Sequence, residues 1–159
     1  MRRRHLILGP ALGASFSANT CLIRASTIGS TIGALPGQAE ANDDLARRFA
    51  AALARAHALR DQAVRVGDQP YGAVLVDAQQ RIVGEAPSRV VALGDADAHA
   101  ERLALRDAQT RLQRSDLSGL VLVSSSRPCA LCEAAAARAG VARMVYGSGI
   151  DAGAPRASR

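Results

Sequence analysis

The sequence lacks lysine and tryptophan and has few aromatic residues of any kind. All 20 of its Lys-or-Arg positions are arginine, and aromatic residues make up only 3% of the chain. The sequence therefore shows no row of aromatic side chains on which the bases of a nucleic acid would stack. We attribute the arginine-only, alanine-rich usage to genomic composition, and we expect a core built from Ala, Val and Leu.

The positive net charge of the chain is weaker evidence for nucleic-acid binding than its value suggests. The formal net charge is +6, and four arginines and one glutamate place half of it in residues 1–41. The excess left for residues 42–159 is too small to argue for a nucleic-acid groove. A chain of 159 residues has room for one domain with a modest core.

Residues 1–41 have the order of a secretory signal peptide. Arginines at 2–4 precede the uncharged stretch 5–23, and small residues end in Ala39-Glu40-Ala41, after which we expect cleavage. Glycine and proline interrupt the apolar stretch, so we expect no stable membrane span.

Within this segment, Arg3-Arg4 followed by His5, Leu6 and Ile7 resembles a twin-arginine export signal. We therefore expect a periplasmic or otherwise exported protein. The alternative is a mistaken start codon or a disordered tail on a cytoplasmic protein.

The remaining residues, 42–159, show alternating helix and strand patterns. The predicted elements are a helix over 45–63, strands over 73–76 and 81–85, a helix over 98–113, a strand over 120–123, a helix between Pro128 and Gly140 and a strand over 143–146. This order implies one mixed sheet with helices on its faces. We expect Asp97 to cap the second helix, Pro128 to begin the third, and the residues after 147 to form a loose tail.

Two cysteines carry the first chemical signal. Cys129 and Cys132 lie three residues apart at the start of a predicted helix, so both sulfurs project from one face and can share a metal. Cys-x-x-Cys alone is ambiguous, because an exported protein can use the same pair as a redox dithiol.

His99 and Glu101 favour a metal site over a redox dithiol. His99 also begins a predicted helix, and one imidazole with two thiolates leaves the fourth position of a tetrahedral zinc site open, as in catalytic sites. Glu101 lies at the same helix end, where it can carry a proton. The pattern His-x-Glu followed by Pro-Cys-x-x-Cys is typical of zinc deaminases. We expect the remaining histidine of the domain, His57, to be a solvated surface residue.

Residues 70–147 resemble the cytidine and deoxycytidylate deaminase superfamily, especially its branch of tRNA adenosine deaminases and guanine deaminases. The resemblance rests on four segments: Pro70 to Val76, Asp95 to Glu101, Pro128 to Cys132 and Arg143 to Gly147. It implies a three-layer α/β/α sandwich with a mixed central sheet. It also makes His99, Cys129 and Cys132 zinc ligands and Glu101 the catalytic proton shuttle, with Tyr71, Ser88 and Ala100 as candidate substrate contacts.

The sequence departs from this branch at positions that bear on the substrate. Ser88 stands where the branch usually has Asn, and Arg127 stands where it often has Glu. Serine cannot offer the paired donor and acceptor of an amide. Because the chain ends soon after the fourth predicted strand, we also expect a fold that is truncated there.

The sequence thus predicts a zinc-dependent hydrolase that deaminates a nucleobase, nucleoside or nucleotide and releases ammonia. Two alternatives stay open: a catalytically degraded zinc-binding relative and an exported Cys-x-x-Cys dithiol protein. We expect a small-molecule substrate rather than RNA. We also expect a homodimer, since a small Ala-rich domain with an open sheet edge leaves apolar surface uncovered.

Overall fold

A computed structural model of the protein describes residues 36–157. The elements follow the chain as α1 (Pro36–Arg48), α2 (Ala50–Arg65), β1 (Gly72–Val76), β2 (Ile82–Pro87), α3 (Val90–Leu93), α4 (Ala100–Leu112), β3 (Val121–Ser124), α5 (Ala130–Arg138), β4 (Arg143–Tyr146) and β5 (Ile150–Gly153). None of these helices is long and apolar enough to cross a membrane.

The five strands form one mixed sheet in the order β2-β1-β3-β4-β5. β1 pairs antiparallel with β2 and with β3, whereas β3 and β4 run parallel and are joined through α5. The predicted mixed sheet is confirmed, and α5 forms the crossover between the parallel strands β3 and β4. Strands β2, β3 and β4 consequently all end at one edge of the sheet, and β1 begins there.

Successive side chains of a strand point to opposite faces of the sheet, so the strands contribute to two hydrophobic cores. In β1, Ala73 and Leu75 join the core beneath α4 and α5, whereas Val74 and Val76 join the core beneath α2. All five residues of β1 are buried, because helices cover both of its faces. The result is the expected three-layer α/β/α sandwich.

The C-terminal region differs from the sequence prediction. Residues expected to form a loose tail contain β5, which pairs antiparallel with β4. The sheet is therefore not truncated after the fourth strand. This strand was missed because Ile150–Gly153 has no alternating apolar pattern, and three of its four residues are exposed.

The helices also differ in their ends. The single helix predicted over 45–63 is two helices that meet at Phe49, and α1 runs through the position of the predicted cleavage after Ala41. That domain boundary remains a prediction, and residues 1–35, which carry the twin-arginine pattern, lie outside the described residues. A helical turn, α3, lies between β2 and α4, where the sequence predicted no element.

Candidate metal centre

The chemistry-bearing residues gather at the sheet edge where β2, β3 and β4 end. His99 follows β2 through α3, and the cysteines follow β3. Open α/β sheets place their sites at this edge because loops from neighbouring strands converge there.

His99 is the residue that caps the N-terminus of α4. Its backbone is extended, with φ −67° and ψ 147°, and its side chain makes no capping hydrogen bond. The imidazole is thereby left available for a ligand, while the fully buried Ala98 and Ala100 fix the backbone on either side of it. The predicted cap was wrong, since Asp97 instead forms an ion pair with Arg102.

The cysteines occupy the matching end of α5. Cys129 caps this helix and its Sγ accepts a hydrogen bond from the Cys132 N–H at 3.4 Å. Pro128 precedes the cap rather than beginning the helix, which starts at Ala130, two residues later than predicted. Cys132 is buried and Cys129 is exposed, so the cysteine pair has one sulfur facing the interior and one facing solvent.

The distances within this group fit a zinc ion. The His99 Nδ1 atom lies 3.8 Å from the Cys129 Sγ and 3.5 Å from the Cys132 Sγ. Tetrahedral ligands at ordinary Zn–N and Zn–S lengths stand about 3.5 Å apart for a nitrogen and a sulfur, and about 3.8 Å apart for two sulfurs. Within residues 36–157, these three side chains are the only group of His, Cys, Asp or Glu whose ligand atoms converge in this way, all within 4.8 Å of one another.

The protonation state of the Cys132 thiol depends on whether a cation is bound beside it. Burial, with further contributions from the Glu101 carboxyl and Cys129, raises the pKa of the Cys132 thiol far above its ordinary value. A thiolate at this position needs a positive partner, and a bound metal supplies one. The N-termini of α4 and α5, which are the positive ends of their helix dipoles, also favour a thiolate.

Glu101 lies beside this group and is the residue expected to act as its acid and base. It lies in the first turn of α4, is only 5% exposed, and its Oε2 is 3.6 Å from the Cys132 Sγ. Burial raises the pKa of the Glu101 carboxyl, against smaller lowering effects of its hydrogen bonds and of His99. A carboxyl whose pKa is raised holds a proton more readily than an exposed one, which suits a group that takes up a proton and then releases it.

The three candidate substrate contacts lie at the same edge but differ in access. Tyr71 is 38% exposed, whereas Ser88 and Ala100 are buried at 1% and 0%. The Ser88 hydroxyl donates to the Asp68 Oδ1 at 2.9 Å, so it is not free to donate to a bound base. The substrate roles of all three residues stay predictions.

Two residues near the site were not anticipated. Asp68 is a buried carboxylate at this edge, and only its acidic type ahead of Pro70 could have singled it out. His57 is not the solvated residue that we predicted: it is half-buried, its Nε2 lies 3.0 Å from the Gly147 carbonyl oxygen, and its Nδ1 is buried without a partner. The position of His57 along its helix did not reveal that the connection between β4 and β5 lies against α2 at this residue.

Comparison with known families agrees with this geometry. Residues 47–148 match the family model described as the cytidine and deoxycytidylate deaminase zinc-binding region. The chain belongs to this family. Its fold and its His99, Cys129 and Cys132 cluster are those of a zinc-binding deaminase domain.

Individual relatives of this deaminase domain act on different molecules. The tRNA-specific adenosine deaminase of Haemophilus influenzae is 36% identical over 90 residues, which are 57% of this chain and 52% of the relative. The chain thus spans about half the length of that relative.

Two solved structures share the fold. A guanine deaminase from Bacillus subtilis matches with a TM-score of 0.58 and 33% identity, over 60% of this chain and 61% of the other. The protein NE0047 in complex with 2,6-diaminopurine matches with a TM-score of 0.59 and 27% identity, over 72% of this chain and 65% of the other.

Proposed function

We propose that this protein catalyses the zinc-dependent hydrolytic deamination of a nucleobase, nucleoside or nucleotide. The observation that carries the proposal is the buried Glu101 carboxyl, held 3.6 Å from a sulfur of the His99–Cys129–Cys132 cluster. A site that only stored zinc for stability has no need of an acid and base beside an open coordination position.

The roles of the residues follow from their chemistry. His99, Cys129 and Cys132 would hold the zinc, which when bound acts as a Lewis acid and activates water at neutral pH. Glu101 takes a proton from the attacking water through a carboxylate oxygen and delivers it to the amino group that leaves. In the net reaction, a C–O bond forms, the C–N bond of the exocyclic amine breaks, and ammonia departs.

A small-molecule substrate is the better proposal than RNA, although one relative is a tRNA-specific enzyme. Among the described residues, one large aromatic side chain, Tyr71, is exposed beside the site. Single-stranded RNA loops are usually held by several stacked aromatic or arginine planes. The neighbouring structure that contains 2,6-diaminopurine shows that the fold accepts a free base in another protein.

The two alternatives make different demands on the same residues. A catalytically degraded relative would hold zinc without turnover and would not require Glu101. A dithiol protein would not require His99, yet the His99 imidazole lies within 3.8 Å of both sulfurs. The geometry therefore favours the enzyme over both.

The test is an ammonia-release screen of the zinc-loaded protein across bases, nucleosides and nucleotides, with Glu101→Gln as the matched control. This variant keeps the size of the side chain and should retain zinc and fold, but it should lose at least about 100-fold in turnover because it cannot carry the proton. No ammonia from any substrate would favour the degraded relative. Turnover by Glu101→Gln close to that of the wild type would remove Glu101 from the mechanism.

A further inference from the structure

Asp68 connects three separate segments at the edge of the sheet that holds the metal centre. It precedes β1, and its side chain is buried, with 8% of the residue exposed. Its Oδ1 accepts hydrogen bonds from the Gln69 N–H at 2.7 Å and from the Ser88 hydroxyl at 2.9 Å. Its Oδ2 accepts a third from the Ala92 N–H at 2.9 Å. One carboxylate thus ties the start of β1 to the end of β2 and to α3.

The segment from Ser88 to Ala98 leads directly to His99. It is closed on itself by a hydrogen bond from the Arg89 N–H to the Ala98 carbonyl oxygen at 3.1 Å. Ala98 is fully buried and immediately precedes the metal ligand. A shift at the beginning of this segment is therefore passed to the N-terminus of α4.

Apolar packing does little to fix this segment. None of the four residues of α3 is buried, and Val91 and Leu93 are 62% and 54% exposed. A helical turn this short and this exposed has little stability of its own. A hydrogen bond from the Ala92 N–H to Asp68 attaches this turn to the residues before β1.

We propose that Asp68 is a positioning residue of the metal centre: through the segment 88–98, it holds His99 where both cysteines can share a metal with it. The role is distinct from catalysis and from ligation, because protein donors engage both oxygens of Asp68 and the residue is not part of the His99–Cys129–Cys132 cluster. It matters because His99 reaches the site from a different part of the sheet than the cysteines do. Metal sites lose affinity when the groups that orient their ligands are removed.

The charge state of Asp68 suits this role. Desolvation raises its pKa, but hydrogen bonds from the N–H groups of Ala92 and Gln69 and from the Ser88 hydroxyl outweigh that effect and leave the pKa below its ordinary value. The group is thus an ionised acceptor at neutral pH, with both oxygens engaged by donors.

The informative variant is Asp68→Asn, which keeps the shape but replaces one acceptor oxygen by an NH₂ group. A neutral amide also accepts hydrogen bonds more weakly than a carboxylate, and its NH₂ must face the N–H of either Ala92 or Gln69, so the anchor is weakened in both orientations. Asp77→Asn is the matched control. Asp77 follows β1 at its opposite end and accepts hydrogen bonds from the Gln79 and Arg81 N–H groups at 2.9 Å each. It therefore fixes a turn remote from the metal centre.

The experiment measures zinc affinity by competition with a chromophoric chelator, and the absorption spectrum of the cobalt-substituted protein. We expect Asp68→Asn to bind zinc at least about 10-fold more weakly and to show altered cobalt bands, since ligand orientation has changed. Asp77→Asn should stay within about twofold of the wild type. Unchanged zinc affinity in folded Asp68→Asn would overturn the proposal, as would an equal loss in both variants, which would indicate a general effect of stability.

A milder variant decides the question if Asp68→Asn does not fold. Ser88→Ala removes one of the three donors and leaves the carboxylate and the Ala92 hydrogen bond in place. It should weaken zinc binding by about threefold or more, the value of one hydrogen bond. A folded Ser88→Ala protein with wild-type zinc affinity would contradict the proposal. Neither readout requires the protein to be an active deaminase.

Discussion

Each proposed metal ligand is presented by the first turn of a helix. His99 caps α4, Cys129 caps α5, and Cys132 lies three residues further along α5. Residues at a helix start have backbone N–H groups without helical partners, so their side chains sit in a locally positive environment. This positive environment favours a thiolate, and it acts against the burial that raises the pKa of the Cys132 thiol.

We expect separate replacement of His99, Cys129 and Cys132 by Ala to reduce bound zinc to a small fraction of one equivalent, because two protein ligands rarely hold zinc tightly. Metal analysis of the purified variants provides the measurement. His57→Ala is the matched control, since this imidazole lies against the Gly147 carbonyl rather than in the cluster. Full zinc in a folded variant that lacks either cysteine would disprove the assignment.

At the scale of the elements, glycine permits close contact between the sheet and a helix. Gly84 in β2 lies directly beneath α4. A Cβ atom built there would come within 2.6 Å of the Ala108 Cβ and 2.7 Å of the Ala104 carbonyl oxygen. Because α4 also carries His99 and Glu101, the spacing of this contact helps to set the height of the metal centre above the sheet.

Gly84→Ala should therefore destabilise the domain by about 2–3 kcal/mol, since either α4 or β2 must move to admit a methyl group. Urea unfolding measures the change. Gly153→Ala is the comparison: this glycine has φ +70° and nothing within 4 Å of the added Cβ, so only conformational strain of about 1 kcal/mol is expected. An equal loss in the two variants would show that the close approach of α4 does not matter.

The elements differ in how well the sequence could predict them. Strand β4 has the predicted bounds, because Arg143–Tyr146 alternates into both cores. α3 and β5 could not be predicted in this way, since α3 has no buried residue and β5 is mostly exposed. α3 is held by a hydrogen bond from the Ala92 N–H to the distant Asp68, and β5 by backbone pairing with the preceding strand β4. A pattern of hydrophobic residues carries no information about such bonds.

For the whole molecule, we predict association into a homodimer or a larger assembly. Several large apolar side chains among the described residues stay exposed on the single chain, including Val66 at 71%, Val91 at 62% and Leu131 at 63%. The domain is small, so covering such surface in a partner would add stability. Sedimentation at micromolar concentration should show a species of at least twice the chain mass. A pure monomer would contradict the prediction.

We also propose that the chain is exported through a twin-arginine route after it has folded around zinc. Cysteines exported unfolded into an oxidising space can pair as a disulfide, whereas metal-bound thiolates are protected. Replacing Arg3 and Arg4 together by Lys should abolish export, as followed by cell fractionation and by the size of the product. Unchanged export of this variant would refute the route, and uncleaved wild-type protein in the cytoplasm would show that residues 1–41 are not a signal.

The sequence by itself determined the metal-binding donor set and the local setting of each half of the site. Cys129 and Cys132 share a face because three-residue spacing at a helix start is a local property, and His99 and Glu101 lie at one helix end because only two positions separate them. Only the tertiary structure decided that the two halves meet, that Asp68 anchors the segment leading to His99, and that His57 is half-buried. These contacts join residues 24 or more positions apart, and they depend on the strand order β2-β1-β3-β4-β5, which packing over the whole domain selects.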